Sequence, residues 1–202
     1  MAKFFLASVL GYLIGSLNPA AFLGKIKHQN LRDSGTGNLG ATNVTMHFGK
    51  LLGALVMIFD ICKSFAAVKL ASWLFPESVI AGLLMGCFAV AGHMFPFYLR
   101  FKGGKGLAAY GGMILGVNPI FFLILLTLGL VFMFITNYSV MLLIPASILF
   151  PVMGGLHYHS VGFFVIACLI SILTLFKFRE NFKRIKQGNE LKLRDYIKKH
   201  LR

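Results

Sequence analysis

A succession of long apolar runs, at residues 4–23, 51–75, 79–99, 107–117, 120–135, 139–156 and 161–176, constrains this chain more than any other feature. Helices satisfy their own backbone polar groups, so runs this long and this poor in charge predict spans of a lipid bilayer. The fourth run is the exception in length. Its 11 residues reach only ~17 Å as a helix, against a hydrocarbon core of ~30 Å, so it is expected to tilt, to borrow loop residues or to insert half-way. Asn118-Pro119 marks a turn after it, and the polar residues 136–138 and 157–160 separate the later runs. Composition agrees: 57% of the 202 residues are hydrophobic, where a soluble domain has ~45–50%. The expected fold class is therefore all-α and polytopic, with about seven transmembrane helices. Merging or demoting two weak runs gives five. The expected organisation is a single membrane-embedded domain over 1–202, with 177–202 a basic tail.

Charge sets the expected orientation. Lys25, Lys27, Arg32 and Lys50 follow the first run, Arg100, Lys102 and Lys105 follow the third, and ten of the 20 basic residues lie between 177 and 202. The alternate connections, around Pro76, Asn118 and His157, carry no Lys or Arg, and Lys3 alone stands at the opposite end. The positive-inside rule then puts the N-terminus outside and the tail in the cytoplasm. The net charge of +14, concentrated beside apolar runs, favours anionic lipid and anionic substrate over nucleic acid. Cys62, Cys87 and Cys168 lie far apart inside apolar runs, and no pair of them has metal or disulfide spacing.

The long polar segments all fall on the basic side, so a site must be built from them. Segment 34–43, SGTGNLGATN, places glycines at 35, 37 and 40 among hydroxyl and amide side chains. Glycine permits positive φ and close backbone approach, and successive N–H groups in such turns cradle anions. Segment 92–106, GHMFPFYLRFKGGKG, surrounds Lys105 with Gly103, Gly104 and Gly106. It is not a P-loop, because Gly104-Lys105 is followed by glycine, but backbone amides and a lysine suit phosphate in the same way. Segment 178–190 adds Arg179, Asn181 and Glu190. Asp60 and Lys63, one turn apart within the second run, are placed to pair on one helix face; charge inside a span is costly and marks either function or a structural ion pair.

The chain has no GxSxG elbow, no carboxylate pair spaced for acid–base work and no His/Cys cluster with metal spacing. His28 and Asp33 match HxxxxD, a general-base pattern, but without the soluble domain that would surround it. Cations, glycines and amides without a nucleophile suit a substrate that carries its own activation, such as an acyl phosphate.

Four segments resemble the bacterial membrane acyl-phosphate:glycerol-3-phosphate acyltransferases. Residues 15–19, GSLNP, are similar to the family's opening GSxP turn; 35–43, GTGNLGATN, to its GSGNxGATN; 92–106 to its GHxFPxFLxFKGGKG; and Arg179-Glu-Asn181 with Gly188-Asn-Glu190 to its RHREN and GxE tail. The resemblance implies a seven-helix enzyme that moves a fatty acyl group from acyl phosphate to glycerol 3-phosphate, giving lysophosphatidate. It implies no metal or nucleotide cofactor and no nucleic-acid partner. It also implies a monomer in the bacterial inner membrane, with the active site on the cytoplasmic face. Thr36, Lys105 and Asn181 are the catalytic candidates. The substrate-binding candidates are Arg32, Gly35, Gly37, Asn38, Gly40, Thr42, Asn43, His93, Lys102, Gly103, Gly104, Gly106, Arg179 and Glu190. The chain departs from the family at Asn30, Met46, Asn137 and Phe178, where Asp, Arg, Arg and His are expected. The alternative reading is a degenerate or altered-substrate relative that binds lipid or serves as a scaffold.

Overall fold

A computed structural model describes residues 1–33 and 35–200. Ser34, which opens the first glycine segment, and the last two residues of the basic tail lie outside these. Helices make up the described secondary structure. They are α1 (Ala2–Ser16), α2 (Pro19–Ile26), α3 (Ala41–Phe48), α4 (Lys50–Leu74), α5 (Val79–Met94), α6 (Leu107–Val117), α7 (Pro119–Thr136), α8 (Leu143–His157), α9 (Val161–Lys177), α10 (Arg179–Lys186) and α11 (Leu193–His200). Short 3₁₀ turns at Phe97–Leu99 and Ser139–Leu142 complete them.

Sequence punctuation explains where the helices begin. The side chains of Asn18, Ser78, Asn118 and Ser160 cap α2, α5, α7 and α9 by accepting first-turn N–H groups, and Pro19 and Pro119 occupy first helical positions. The first apolar run is thus broken at Leu17–Asn18 rather than continuous. Among the described residues, five segments have the length and apolarity to cross a membrane: Ala2–Ile26, Lys50–Leu74, Val79–Leu99, Pro119–Thr136 and Ser139–His157. A sixth is α9 with α10, bent by 51°. The short α6 has the bounds expected of it, because Gly106 and Asn118 flank it.

The chain divides into two compact units, residues 1–117 and 118–202. In the first, small residues let helices touch backbone to backbone. Ala7, Gly11 and Gly15 repeat every fourth residue along the buried face of α1. A Cβ at Gly11 would strike the Met85 backbone of α5, and one at Gly15 the Ala89 backbone. Gly112 of α6 meets Ile61 of α4 in the same way. Lipid supplies no hydrophobic drive between helices, so this close packing is what holds them together. In the second unit, Gly154 of α8 admits the Phe163 ring of α9, which lies edge-on to Phe150 at 5.6 Å. The outward faces are apolar, with Phe5 and Leu13 on α1, Leu55 and Phe59 on α4, and Leu123 and Phe134 on α7 all exposed. In water such faces would be untenable; in a bilayer they meet acyl chains.

Candidate active site

The two glycine segments come together in the first unit. In segment 35–43, Gly35 and Gly37 take φ of +62° and +64°, conformations that glycine adopts without steric cost. Asn43 shapes this turn: its Oδ1 accepts the Thr36 N–H at 2.8 Å and its Nδ2 donates to the Leu31 carbonyl at 2.6 Å. A Cβ at Gly35 would strike Asn43 Oδ1 and lie 2.8 Å from His47 Nε2. Thr36 is exposed, Asn38 is half-buried, and Thr42 is exposed in the first turn of α3. Gly40 is the N-cap of that helix, with no side-chain cap bond, so the helix begins at the end of the glycine turn.

The second segment repeats the device. Residues Arg100 and Phe101 both take left-handed φ, +55° and +58°, strain of ~1–3 kcal/mol each for non-glycine residues. The fold sustains that strain through several bonds. Phe101 N–H donates to Pro96 O, Gly103 N–H to Met94 O and Gly104 N–H to His93 O, at 3.0–3.1 Å. Gly106 follows at φ +90° and leads into α6. Lys105 is half-buried between two buried glycines, and Lys102 is exposed.

Arg32 joins the two segments. Its guanidinium donates to the carbonyls of Leu99 at 3.1 Å and Lys102 at 2.5 Å. It therefore acts as a clasp between loops. The result concentrates Lys25, Lys27, Arg32, Lys50, Arg100, Lys102 and Lys105 in segments 24–50 and 100–106, against the one acid Asp33. Asp33 itself accepts a bond from Asn30 Nδ2 at 2.6 Å. Beside the clasp opens a cleft of ≈390 Å³, with Ala20, Ala21, Leu31 and Leu39 as apolar lining, Lys25 and Arg32 as cations and His28 beside them. An anion headgroup with an apolar tail fits such a surface.

In the second unit, Asn181 is buried and donates to Glu190 Oε1 at 2.5 Å, while Arg184 donates to Glu190 Oε2 at 2.6 Å. Arg179 is exposed and engaged elsewhere: it pairs with Glu180 and lies over the Phe176 ring at 4.1 Å. The start of the basic tail is thus helical, and α10 buries Asn181.

His93, a substrate-binding candidate, is only 3% exposed. Its Nδ1 lies 3.1 Å from Asp60 Oδ1 and 3.0 Å from Lys63 Nζ, while Lys63 pairs with the same carboxylate oxygen at 2.7 Å. The Asp60–Lys63 pairing follows from their spacing; the third member, on another helix, carries no local sequence signal. Three of the four family departures also have structural employment here. Asn30 accepts the Arg32 N–H and bonds Asp33. Asn137, at φ +62°, accepts the N–H groups of Leu193 and Arg194 and so fixes the start of α11. Phe178 is buried at the α9–α10 bend and its carbonyl accepts the Asn181 N–H. Met46 is half-buried in α3, and nothing in the structure explains its choice.

A family model described as glycerol-3-phosphate acyltransferase matches residues 5–188. A relative of that name from Staphylococcus saprophyticus is 37% identical over 194 residues, covering 92% of this chain and 96% of its own. Another, from Thermoanaerobacter pseudethanolicus, is 33% identical over 93% of this chain and 94% of its own. A crystal structure of PlsY, described as an integral membrane glycerol 3-phosphate acyltransferase in its glycerol 3-phosphate form, matches with a TM-score of 0.85 at 30% identity, covering 94% of each chain. Its lysophosphatidic acid form matches at 0.84 and 28%, over 97% of this chain and 99% of the other. Fold and comparisons together define a polytopic, all-helical membrane acyltransferase. The chain belongs to the glycerol-3-phosphate acyltransferase family.

Proposed function

We propose that this protein transfers a fatty acyl group from acyl phosphate to the 1-hydroxyl of glycerol 3-phosphate, releasing lysophosphatidate and inorganic phosphate. The observation that carries this reading is the Arg32 clasp. It brings two glycine turns, each leading into a helix, together with Lys102 and Lys105. Such a site suits phosphate, and among the described residues it holds no activated nucleophile. The acceptor oxygen attacks the acyl carbon and the bond from that carbon to the phosphate oxygen breaks. The hydroxyl proton passes to a phosphate oxygen of the substrate. Lys105, Thr36 and the glycine amides neutralise the departing phosphate, an electrostatic contribution. In the second unit, Glu190, itself held by Arg184, fixes the Asn181 amide, a polar group suited to a hydroxyl or phosphate oxygen. The cleft over Ala20, Ala21 and Leu39 takes the start of the acyl chain.

The chemistry takes place on the cytoplasmic face of a bacterial inner membrane, with the N-terminus outside, a reading that the basic segments support through the positive-inside rule. The whole chain works as one membrane-embedded acyltransferase, as a monomer, and the basic residues after Leu191 lie on anionic lipid. Support comes from the two PlsY structures, described as the glycerol 3-phosphate and lysophosphatidic acid forms.

The test is acyl transfer by purified protein in detergent, with palmitoyl phosphate and labelled glycerol 3-phosphate. Lysophosphatidate is expected, and Lys105→Ala is expected to lower kcat by about 100-fold or more. Full activity in Lys105→Ala overturns the assignment. Met46, which replaces a family cation, favours one second reading, a degenerate or altered-acceptor enzyme. That reading requires no product from the native protein and product from Met46→Arg/Phe178→His.

A further inference from the structure

The buried charges of α4 lie outside the phosphate site, yet they touch His93 of the second glycine segment and Leu17, whose neighbour Asn18 bonds the first. Lys63 Nζ donates to the Leu17 carbonyl at 2.6 Å as well as pairing with Asp60. Leu17 is the residue at which the first apolar run breaks. The next residue, Asn18, caps α2 and reaches the Leu39 carbonyl of the first glycine segment with its Nδ2, at 3.5 Å. On the other side, the Nδ1 edge of His93 is held by Asp60 and Lys63. The opposite edge faces Gly104: a Cβ at that glycine would collide with His93 Nε2. The His93 carbonyl also accepts the Gly104 N–H at 3.0 Å. Gly104 immediately precedes Lys105.

These charges are expensive. Asp60, Lys63 and His93 are each 5% exposed or less, and a buried ion pair recovers its desolvation cost only with good geometry and further hydrogen bonds. An apolar helix face would pack α4 more cheaply. The contacts show what the triad does in return: from a single node it meets Gly104 of one loop directly and reaches the other through Leu17 and Asn18. We propose that Asp60, Lys63 and His93 form a buried positioning node that holds the 35–43 and 102–106 loops in register for phosphate, without touching substrate. The proposal rests on the reading of those loops as the phosphate site.

The experiment combines kinetics with hydrogen exchange on the full-length protein in detergent. Asp60→Asn/Lys63→Gln removes both charges together, leaving no unpaired ion, and is chosen because single substitutions threaten folding. Loss of positioning is expected to lower kcat by about 10- to 100-fold, as for misplacements remote from the chemistry, with KM for glycerol 3-phosphate changed less than about threefold. Amide exchange in 102–106 and in 35–40 is expected to speed up together, while α7 and α8 stay protected. A cycle with Gly104→Ala gives the second readout. Alone, Gly104→Ala drives its methyl into the imidazole and loses activity; in a His93→Ala background it costs little more. Multiplicative losses, or unchanged exchange in both loops, overturn the node. If the native protein makes no lysophosphatidate, the acyltransferase reading fails, and the exchange pattern still decides the positioning claim by itself.

Discussion

Two polar clusters of this protein solve opposite problems. The Asp60–Lys63–His93 cluster lies inside the first unit, with side chains 3–4% exposed. The Asn181–Glu190–Arg184 cluster lies in the second, where the Arg184 side chain is 41% exposed and that of Glu190 10%. Both centre on one carboxylate with two nitrogens at hydrogen-bond distance. Water stays close enough to the second to stand in for a lost partner. It cannot do so for the first, where loss of one member leaves a bare charge. Geometry alone therefore does not measure what a cluster contributes; the dielectric around it does.

The largest expected effect breaks the first cluster. Asp60→Asn leaves the Lys63 ammonium buried without its counter-charge and is expected to cost roughly 3–5 kcal/mol of stability. A lowered unfolding midpoint in detergent checks this. Removing both charges in Asp60→Asn/Lys63→Gln is expected to restore most of that midpoint while leaving turnover impaired. A double variant as unstable as the single one shows that the pair was never the cause.

Next comes Glu190→Gln. It keeps an acceptor for Asn181 and weakens the charge-assisted bond from Arg184, expected to cost about 1 kcal/mol given the solvent around that pair. Raising salt to about 0.5 M is expected to erase most of this difference and none of the Asp60 effect. Equal salt sensitivity in the two clusters would remove the contrast between them.

The smallest effect lies at the Lys3–Glu77 pair, 3.2 Å apart at the surface. A bond to its own backbone, then Lys3, holds the Glu77 carboxyl below its ordinary value of 4.5. A depressed carboxylate contributes stability above its unfolded pKa and loses it as pH falls through the folded one, so any contribution fades below about pH 4.5. Glu77→Gln is expected to leave the midpoint at neutral pH unchanged; a measurable drop would give this exposed pair a role that its exposure denies it.

Much of the fold is legible in the sequence because its signals are local. Gly106 and Asn118 bracket α6, and Ser78 and Ser160 start α5 and α9 where the apolar runs begin. The break in the first run escaped hydropathy because Leu17 is apolar and Asn18 interrupts for only one residue; the meaning of Asn18-Pro19 lies in cap geometry. Helix α3 lay hidden in a polar loop rich in Thr, Asn and Val, weak helix formers, with Gly40 and Gly49 as its only bounds. In the site, the glycine turns were visible as composition. The part of Arg32 was not: a cation in a phosphate loop reads as a phosphate ligand, whereas here it bonds two carbonyls some 70 residues along the chain. His93 likewise had to be brought to Asp60 by helix packing before its place could be seen.

The glycine seam between α1 and α5 has a consequence for how such a chain can drift. At Gly11, Gly15 and Gly92 even one methyl group meets main chain that cannot move aside. These sites tolerate a single letter, and compensation from a neighbour is closed, because the obstacle is backbone that every neighbour shares. A few ångströms away, Phe5, Val9 and Leu13 face outward, where one hydrophobe serves as well as another. Substitution is thus channelled onto the lipid-facing stripe of each helix, so two chains can differ at most positions and still superpose along the seam.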